Sequence, residues 1–188
     1  MSKPKEDKVF LFIEGKSASL CPLNMEHINL YTKWMNDPQI RKYERNKFPQ
    51  TVEDVKKSFE PKNQDVKEEL FFEIMHNNDK KPIGYIGFPH IHWFTRNANI
   101  FYLVGDTNYW GQNIATEAVK LTVNYGFSEL NLHKITARIF SPNLASRKVV
   151  EKIGFKHEIT LKKEVYFDGE YVDILEYSIF KEDWMGSI

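Results

Sequence analysis

The sequence predicts a single α/β domain in which a mixed, mostly antiparallel sheet carries helices on both faces. Three observations predict it. The apolar stretches "LFFEIMH", "PIGYIGFPHIHW" and "ANIFYLVG" are rich in aromatic and β-branched residues and are separated only by "NNDKK" and "FTRN", as consecutive antiparallel strands are. Beyond them helix and strand patterns alternate, and a strand–helix–strand succession within one sheet brings parallel neighbours. The 188 residues contain no repeat, linker or low-complexity tract, so they suit one core.

Residues 1–8 are polar and read as a flexible tail before a domain spanning 9–188. A first strand is expected near 17–22. In "NMEHINLYTKWMNDPQ", Met25, Ile28, Tyr31 and Met35 recur at helical spacing, with Asn24 as a cap and Asn36-Asp37-Pro38 as a stop. "TVEDVKKSFE" opens on Thr51 before acidic residues and keeps Val52, Val55 and Phe59 on one face, predicting a second helix. The three strands follow. A loop, "YWGQN", leads into a helix whose buried face is Ile114, Ala118, Leu121 and Tyr125 and which runs to about 129. "KITARIF" alternates as a strand. "PNLASRKVVEKIGF" predicts a helix capped by Asn143, apolar along Ala145, Val149 and Ile153, and ended by Gly154. "ITLKKEVYF" and "YVDILEYSIF" flank Asp168-Gly169, a hairpin turn.

Lys plus Arg and Asp plus Glu balance at 26 each, which argues against nucleic acid or an anionic membrane as partner. The single cysteine, Cys21, has no internal disulfide partner and suits a reducing, cytoplasmic setting. No apolar run reaches the roughly 18 residues that span a bilayer. His90 and His92 share a strand face, but no acidic or cysteine partner is evident beside them, so no metal is expected.

Chemistry concentrates between Asn99 and Phe155. A helix start offers unpaired N–H groups and the positive end of the helix dipole, and a loop folded against it suits a pyrophosphate. "NIFYLVGDTNYWGQNIATEA", followed by "LNLHKITARIFSPNLASRKVVEKIGF", resembles the GNAT superfamily of N-acetyltransferases, in the branch of ribosomal-protein N-terminal alanine and bacterial polyamine acetyltransferases. The resemblance implies a GNAT fold with the sheet splayed between its fourth and fifth strands. It implies acetyl-CoA as cosubstrate, with Gly111, Gln112, Asn113, Ile114, Ala115 and Thr116 around the pyrophosphate. Tyr102, Leu103 and Val104 would line the pantetheine arm as an added strand, with Asn143 and Ser146 beside it, and Arg147, Lys148 or Lys152 would meet the ribose 3′-phosphate. Asn113 departs from the second glycine of the family loop.

For catalysis the resemblance implies a backbone N–H around Leu103 as oxyanion donor. The tyrosine that serves many relatives as acid is Val150 here, leaving Ser146 as substitute; a helix-capping or solvent role competes for it. The position of a frequent glutamate is Asn99, leaving Glu164 as the leading carboxylate. Asp37, Arg41, Tyr43 and Trp93 are candidates to contact the acceptor. Deprotonating a lysine-like amine at pH 7 costs roughly 4.6 kcal/mol, against about 1.1 for an α-amine. A site poor in bases therefore favours a peptide N-terminus or an amino sugar, by direct transfer in a ternary complex. Polyamine acetylation is the alternative within the class, and a non-catalytic acyl-CoA-binding or interaction module the alternative outside it. Dimers are common in the family, so a homodimer is possible.

Overall fold

The computed structural model describes residues 10–44, 47–60 and 66–186. The tail expected at 1–8 lies outside these residues. Seven strands form one sheet: β1 (Ala18–Pro22), β2 (Leu70–His76), β3 (Lys81–His92), β4 (Asn97–Val104), β5 (Lys134–Phe140), β6 (Lys156–Phe167) and β7 (Glu170–Phe180). Their spatial order is β1-β2-β3-β4-β5-β7-β6, and among the described residues β4 with β5 is the one parallel pair. The helices are α1 (Ile28–Asn36), α2 (Pro38–Arg41), α3 (Val52–Phe59), α4 (Ile114–Ser128), α5 (Leu144–Ile153) and α6 (Lys181–Met185).

Local chemistry explains most boundaries. Thr51 and Asp54 form a reciprocal capping box at α3. The Asn24 side chain accepts from the Glu26 N–H at a 3-10 turn that precedes α1. Asn143 caps α5 by accepting from the Ser146 N–H at 3.1 Å. At its other end Gly154, at φ 107°, closes α5 with the Phe155 N–H on the Val150 carbonyl. Asp168 and Gly169 both have positive φ, as the β6–β7 turn demands. Two details differ from the sequence pattern. Pro38 ends α1 but also opens α2, because the Asp37 carboxylate caps the Gln39 N–H at 2.8 Å and proline suits a first helical turn. The short α6 lacks a periodic apolar stripe and is held by Trp184, which packs into the core.

Side-chain alternation divides the sheet between two cores. Ala98 and Ile100 of β4, with Ile135, Ala137 and Ile139 of β5, face α4 and α5. Tyr85 of β3 and Leu103 of β4 face the other way, onto Tyr31 and Trp34 of α1 and Val55 of α3. The same side holds a smaller cluster of Phe140, Phe167 and Ile174 with Tyr43 packed on it. A buried carboxylate, Glu73, is met there by the Tyr31 hydroxyl at 2.6 Å and His27 Nδ1 at 2.7 Å.

The parallel pair determines where a site can form. β4 and β5 are in register only at Asn97 with Lys134, Ala98 with Ile135, and Asn99 with Thr136. Asn99 Nδ2 donates to Thr136 Oγ1 at 2.6 Å across the last rung. Beyond it β4 continues unpaired on this edge to Val104, while β5 follows β7 to Phe140. The sheet is thus open between the C-terminal halves of its fourth and fifth strands.

Candidate active site

Backbone direction along β4 follows from antiparallel alternation: successive residues turn their N–H and C=O to opposite sides. The Gly105 N–H donates to Ile83 O on β3, whereas Val104 O accepts from Trp110 Nε1 at 2.8 Å, and Arg96 O accepts from the His133 N–H leading into β5. Even-numbered residues of β4 therefore present their backbone to the opening, and odd-numbered ones pair with β3. This corrects the expectation for Leu103. Its backbone lies opposite Tyr85 in the β3 ladder and its side chain is 5% exposed in the α1–α3 core. The backbone groups facing the opening are those of Tyr102 and Val104.

The loop after β4 passes through a 3-10 turn at Thr107–Tyr109 and two left-handed residues, Gly111 at φ 75° and Asn113 at φ 62°, before α4 begins at Ile114. Asn113 does not cap α4 with its side chain. It supplies the left-handed turn, which asparagine tolerates better than other non-glycine residues, and its Oδ1 accepts from Lys152 Nζ of α5 at 2.9 Å. The first amide in this stretch with a protein acceptor is that of Glu117, on Asn113 O. Among the described residues the N–H groups of Gly111 to Thr116 find no partner. Six such groups, three in the exposed loop and three in the first turn of α4, at the positive end of a fifteen-residue helix, suit an anion. The Glu117 carboxylate does not oppose it, since it accepts from the backbone of Lys16 and Ser17.

At the α5 side of the opening the Tyr102 hydroxyl donates to Ser146 O at 3.1 Å. Burial pushes this phenol up to about 12. Val150 is fully buried in the core, so α5 has no hydroxyl one turn further on. Arg147 does not point to the loop: its Nε donates to the Tyr177 hydroxyl at 3.3 Å and a terminal nitrogen to Ser141 O at 3.4 Å. Lys152, one turn along, is the cation that reaches the loop. Asn143 spends its Oδ1 on capping, and Asn99 spends its amide on β5.

On the opposite face, a cleft of about 350 Å³ is lined by Glu44, Lys47, Glu164, Val165 and Tyr166. Glu164 stands exposed beside Lys163, whose φ of 50° marks a bulge in β6, and Asp173 ties that bulge by accepting from the Lys163 N–H. Burial raises Glu44 from 4.5 to about 6. Lys47 is lowered by burial, and its ammonium donates to the carbonyls of Arg41 and Lys42 at 2.6 and 2.9 Å. Tyr43 stacks on Phe167 beside this cleft. Of the expected acceptor residues, Asp37 is a helix cap, and Arg41 contributes its carbonyl to Lys47. Trp93 lies at the β3–β4 hairpin, bonded to Lys67 O at 2.7 Å. That hairpin is at the paired end of β4, away from the opening, so Trp93 does not border the cleft.

Lys152 was expected, with Arg147 and Lys148, as a cation for the ribose 3′-phosphate; Glu44 and Trp110 were not singled out as site residues by sequence. Lys152 carries no signal beyond a basic helix face, and Trp110 none beyond its adjacency to the loop. Glu44 directly follows Tyr43, yet its burial depends on β6, far along the chain. Cys21 is buried and pushed up to about 11 by burial and the Glu73 charge, which makes it a poor nucleophile. Among the described residues no three His, Cys, Asp or Glu side chains gather as metal ligands.

The open parallel pair, the bare amide loop and the α4 start are features that suit a phosphate-bearing cosubstrate on an acyltransferase fold. The chain belongs to the acetyltransferase (GNAT) domain family, whose pattern matches residues 19–156. It is 28% identical over 172 residues to the uncharacterized N-acetyltransferase p20 of Bacillus licheniformis, across 89% of this chain and 95% of that one. It is 24% identical to spermidine N(1)-acetyltransferase of Escherichia coli K12, across 90% and 89%. A solved structure of spermidine N-acetyltransferase from Vibrio cholerae, in complex with CoA and spermine, superposes with a TM-score of 0.83 at 20% identity, covering 91% of this chain and 99% of that one. The protein is an acetyl-CoA-dependent N-acetyltransferase.

Proposed function

We propose that the protein transfers acetyl from acetyl-CoA to a primary amine of α-amine basicity, a peptide N-terminus or an amino sugar, in one ternary complex. The observation that carries the acetyl-CoA half is the run of amides from Gly111 to Thr116 that find no partner among the described residues, next to the edge of β4 left unpaired by β5. In this reading the amides and Lys152 hold the pyrophosphate. The pantetheine arm lies along β4 as an added strand, and the acetyl carbonyl accepts a hydrogen bond from the Tyr102 or Val104 N–H as charge develops on its oxygen. The departing thiolate takes its proton beside α5, where the Tyr102 phenol donates to the Ser146 backbone carbonyl and the Ser146 hydroxyl is the other candidate acid. Of the two, the phenol is much the stronger acid.

The acceptor enters from the cleft on the α1–α3 face and meets the thioester through the opening in the sheet. One observation favours a second reading, a polyamine acceptor: Glu44 and Glu164 line the same cleft, and two carboxylates suit a polycation. The energetic argument still favours the less basic amine, whose deprotonation at pH 7 costs about 3.5 kcal/mol less. The discriminating assay follows CoA release from acetyl-CoA with an alanine-initiated peptide, glucosamine, spermidine and free lysine at equal concentration. Fastest turnover with the peptide or glucosamine is expected. A tenfold advantage for spermidine would transfer the assignment to the polyamine reading.

A further inference from the structure

We propose that Glu44, rather than Glu164, is the general base that accepts the ammonium proton of the acceptor. This rests on the acetyltransferase reading above. Glu44 belongs to a segment that spans the mouth of the opening. On one side Tyr43 stacks on Phe167 with ring centroids 5.3 Å apart, in the cluster that contains Phe140, the last residue of β5. On the other side the Glu44 carboxylate is close enough to Tyr85 for its charge to raise that buried phenol further, and Tyr85 is the strand partner of Leu103 near the end of β4. The carboxylate therefore stands between the C-terminal ends of the two splayed strands, on the face opposite the amide loop. An amine attacking a thioester held in the opening must approach from that face.

The groups around it suit the task. Lys47 comes from its own segment, Arg41 and Lys42 from α2, Tyr85 from β3, and Glu164 and Tyr166 from β6. Lys47 lowers Glu44, but burial outweighs it and leaves the carboxyl near 6. At pH 7 such a group is about 90% ionised, yet some thirtyfold more basic than a carboxyl at 4.5. Glu164 is exposed on a bulged edge strand.

The step balances without any further reagent. The acceptor ammonium gives one proton to Glu44, and the amine lone pair attacks the acetyl carbonyl carbon. The N–C bond forms, the C–S bond breaks, and a second nitrogen-bound proton ends on the departing sulfur as CoA thiol. Glu44 then returns its proton to water.

The test compares wild type with Glu44→Gln and Glu164→Gln, measuring acetyl-CoA affinity by calorimetry and kcat from pH 5 to 9 on the best amine of the panel. Glu44→Gln is expected to bind acetyl-CoA within threefold of wild type, to lose at least a hundredfold in kcat, and to lose the rise in kcat through pH 6. Glu44→Asp is expected to recover part of the rate with the rise retained, which excludes simple misfolding. Glu164→Gln is expected to retain the rise and to change chiefly KM. Glu44→Gln turning over within fivefold of wild type with its pH rise intact overturns the proposal. So does loss of the rise in Glu164→Gln alone. A wild-type protein that binds acetyl-CoA but acetylates no amine overturns the underlying reading, and the proposal with it.

Discussion

Asn113 tests whether backbone amides, rather than the identity of the loop residue, hold the cosubstrate. Its φ of 62° and ψ of 8° lie in the left-handed region, and its side chain bonds Lys152 rather than a helix amide. In Asn113→Gly the backbone geometry is free of steric cost. The losses are the exposed Lys152 contact and some added loop freedom, together about 1 kcal/mol or less. In Asn113→Val a β-branched residue meets the left-handed region, at about 1–2 kcal/mol over asparagine, and the Lys152 contact goes as well. If the bound loop must keep this geometry, these costs come out of binding. CoA affinity is then expected to fall less than tenfold in Asn113→Gly and about thirtyfold in Asn113→Val, measured by calorimetry with circular dichroism confirming the fold. Equal affinity in both variants, whether unchanged or equally weakened, would refute the assignment of the loop amides to the pyrophosphate.

Three further outcomes follow from the same geometry. Because burial holds folded Glu44 near 6 against 4.5 in the unfolded chain, the folded protein binds the extra proton between those values. Its contribution is fully present below pH 4.5 and is lost as pH rises through 6. Glu44→Gln is therefore expected to gain stability over wild type at pH 7, by about 2 kcal/mol at most, with no gain at pH 4; urea titrations at the two values read it, and equal differences at both would deny the burial of this carboxyl. A Cβ on Gly105 would lie 2.1 Å from the Trp34 ring, which is 4% exposed, so Gly105→Ala is expected to cost at least 1–3 kcal/mol in a urea midpoint measurement. A loss below 0.5 kcal/mol, roughly the range of neutral surface changes, would contradict that packing. Finally, the Trp110 indole occupies Val104 O, the carbonyl that an added strand would use. CoA is expected to shift the intrinsic fluorescence, the shift is expected to vanish in Trp110→Phe, and affinity in that variant to be equal or tighter. A tenfold weakening would assign the indole to holding the cosubstrate instead.

The sequence by itself determined the α/β class, the order of strands and helices, and most boundaries, because those rest on local causes. Hydrophobic period, the Thr51 capping box, the Asn143 cap and Gly154 stop, and the Asp168-Gly169 turn all act within a few residues. The loop at Gly111 to Thr116 was legible for the same reason: its conformation and its free amides belong to one short segment. Family resemblance supplied the splay, which no local pattern encodes. The tertiary structure alone decided which groups meet across it. Pairing with β3 turns the Leu103 backbone away from the opening and leaves Tyr102 and Val104 to face it. Arg147 is captured by Tyr177, thirty residues later, so Lys152 takes the loop. Trp93 is drawn to Lys67 at the far end of the sheet. Glu164 was the leading carboxylate in the sequence, where Glu44 was not singled out. Burial distinguishes them, and burial comes from a packing partner more than a hundred residues away, which propensity and spacing along the chain do not specify.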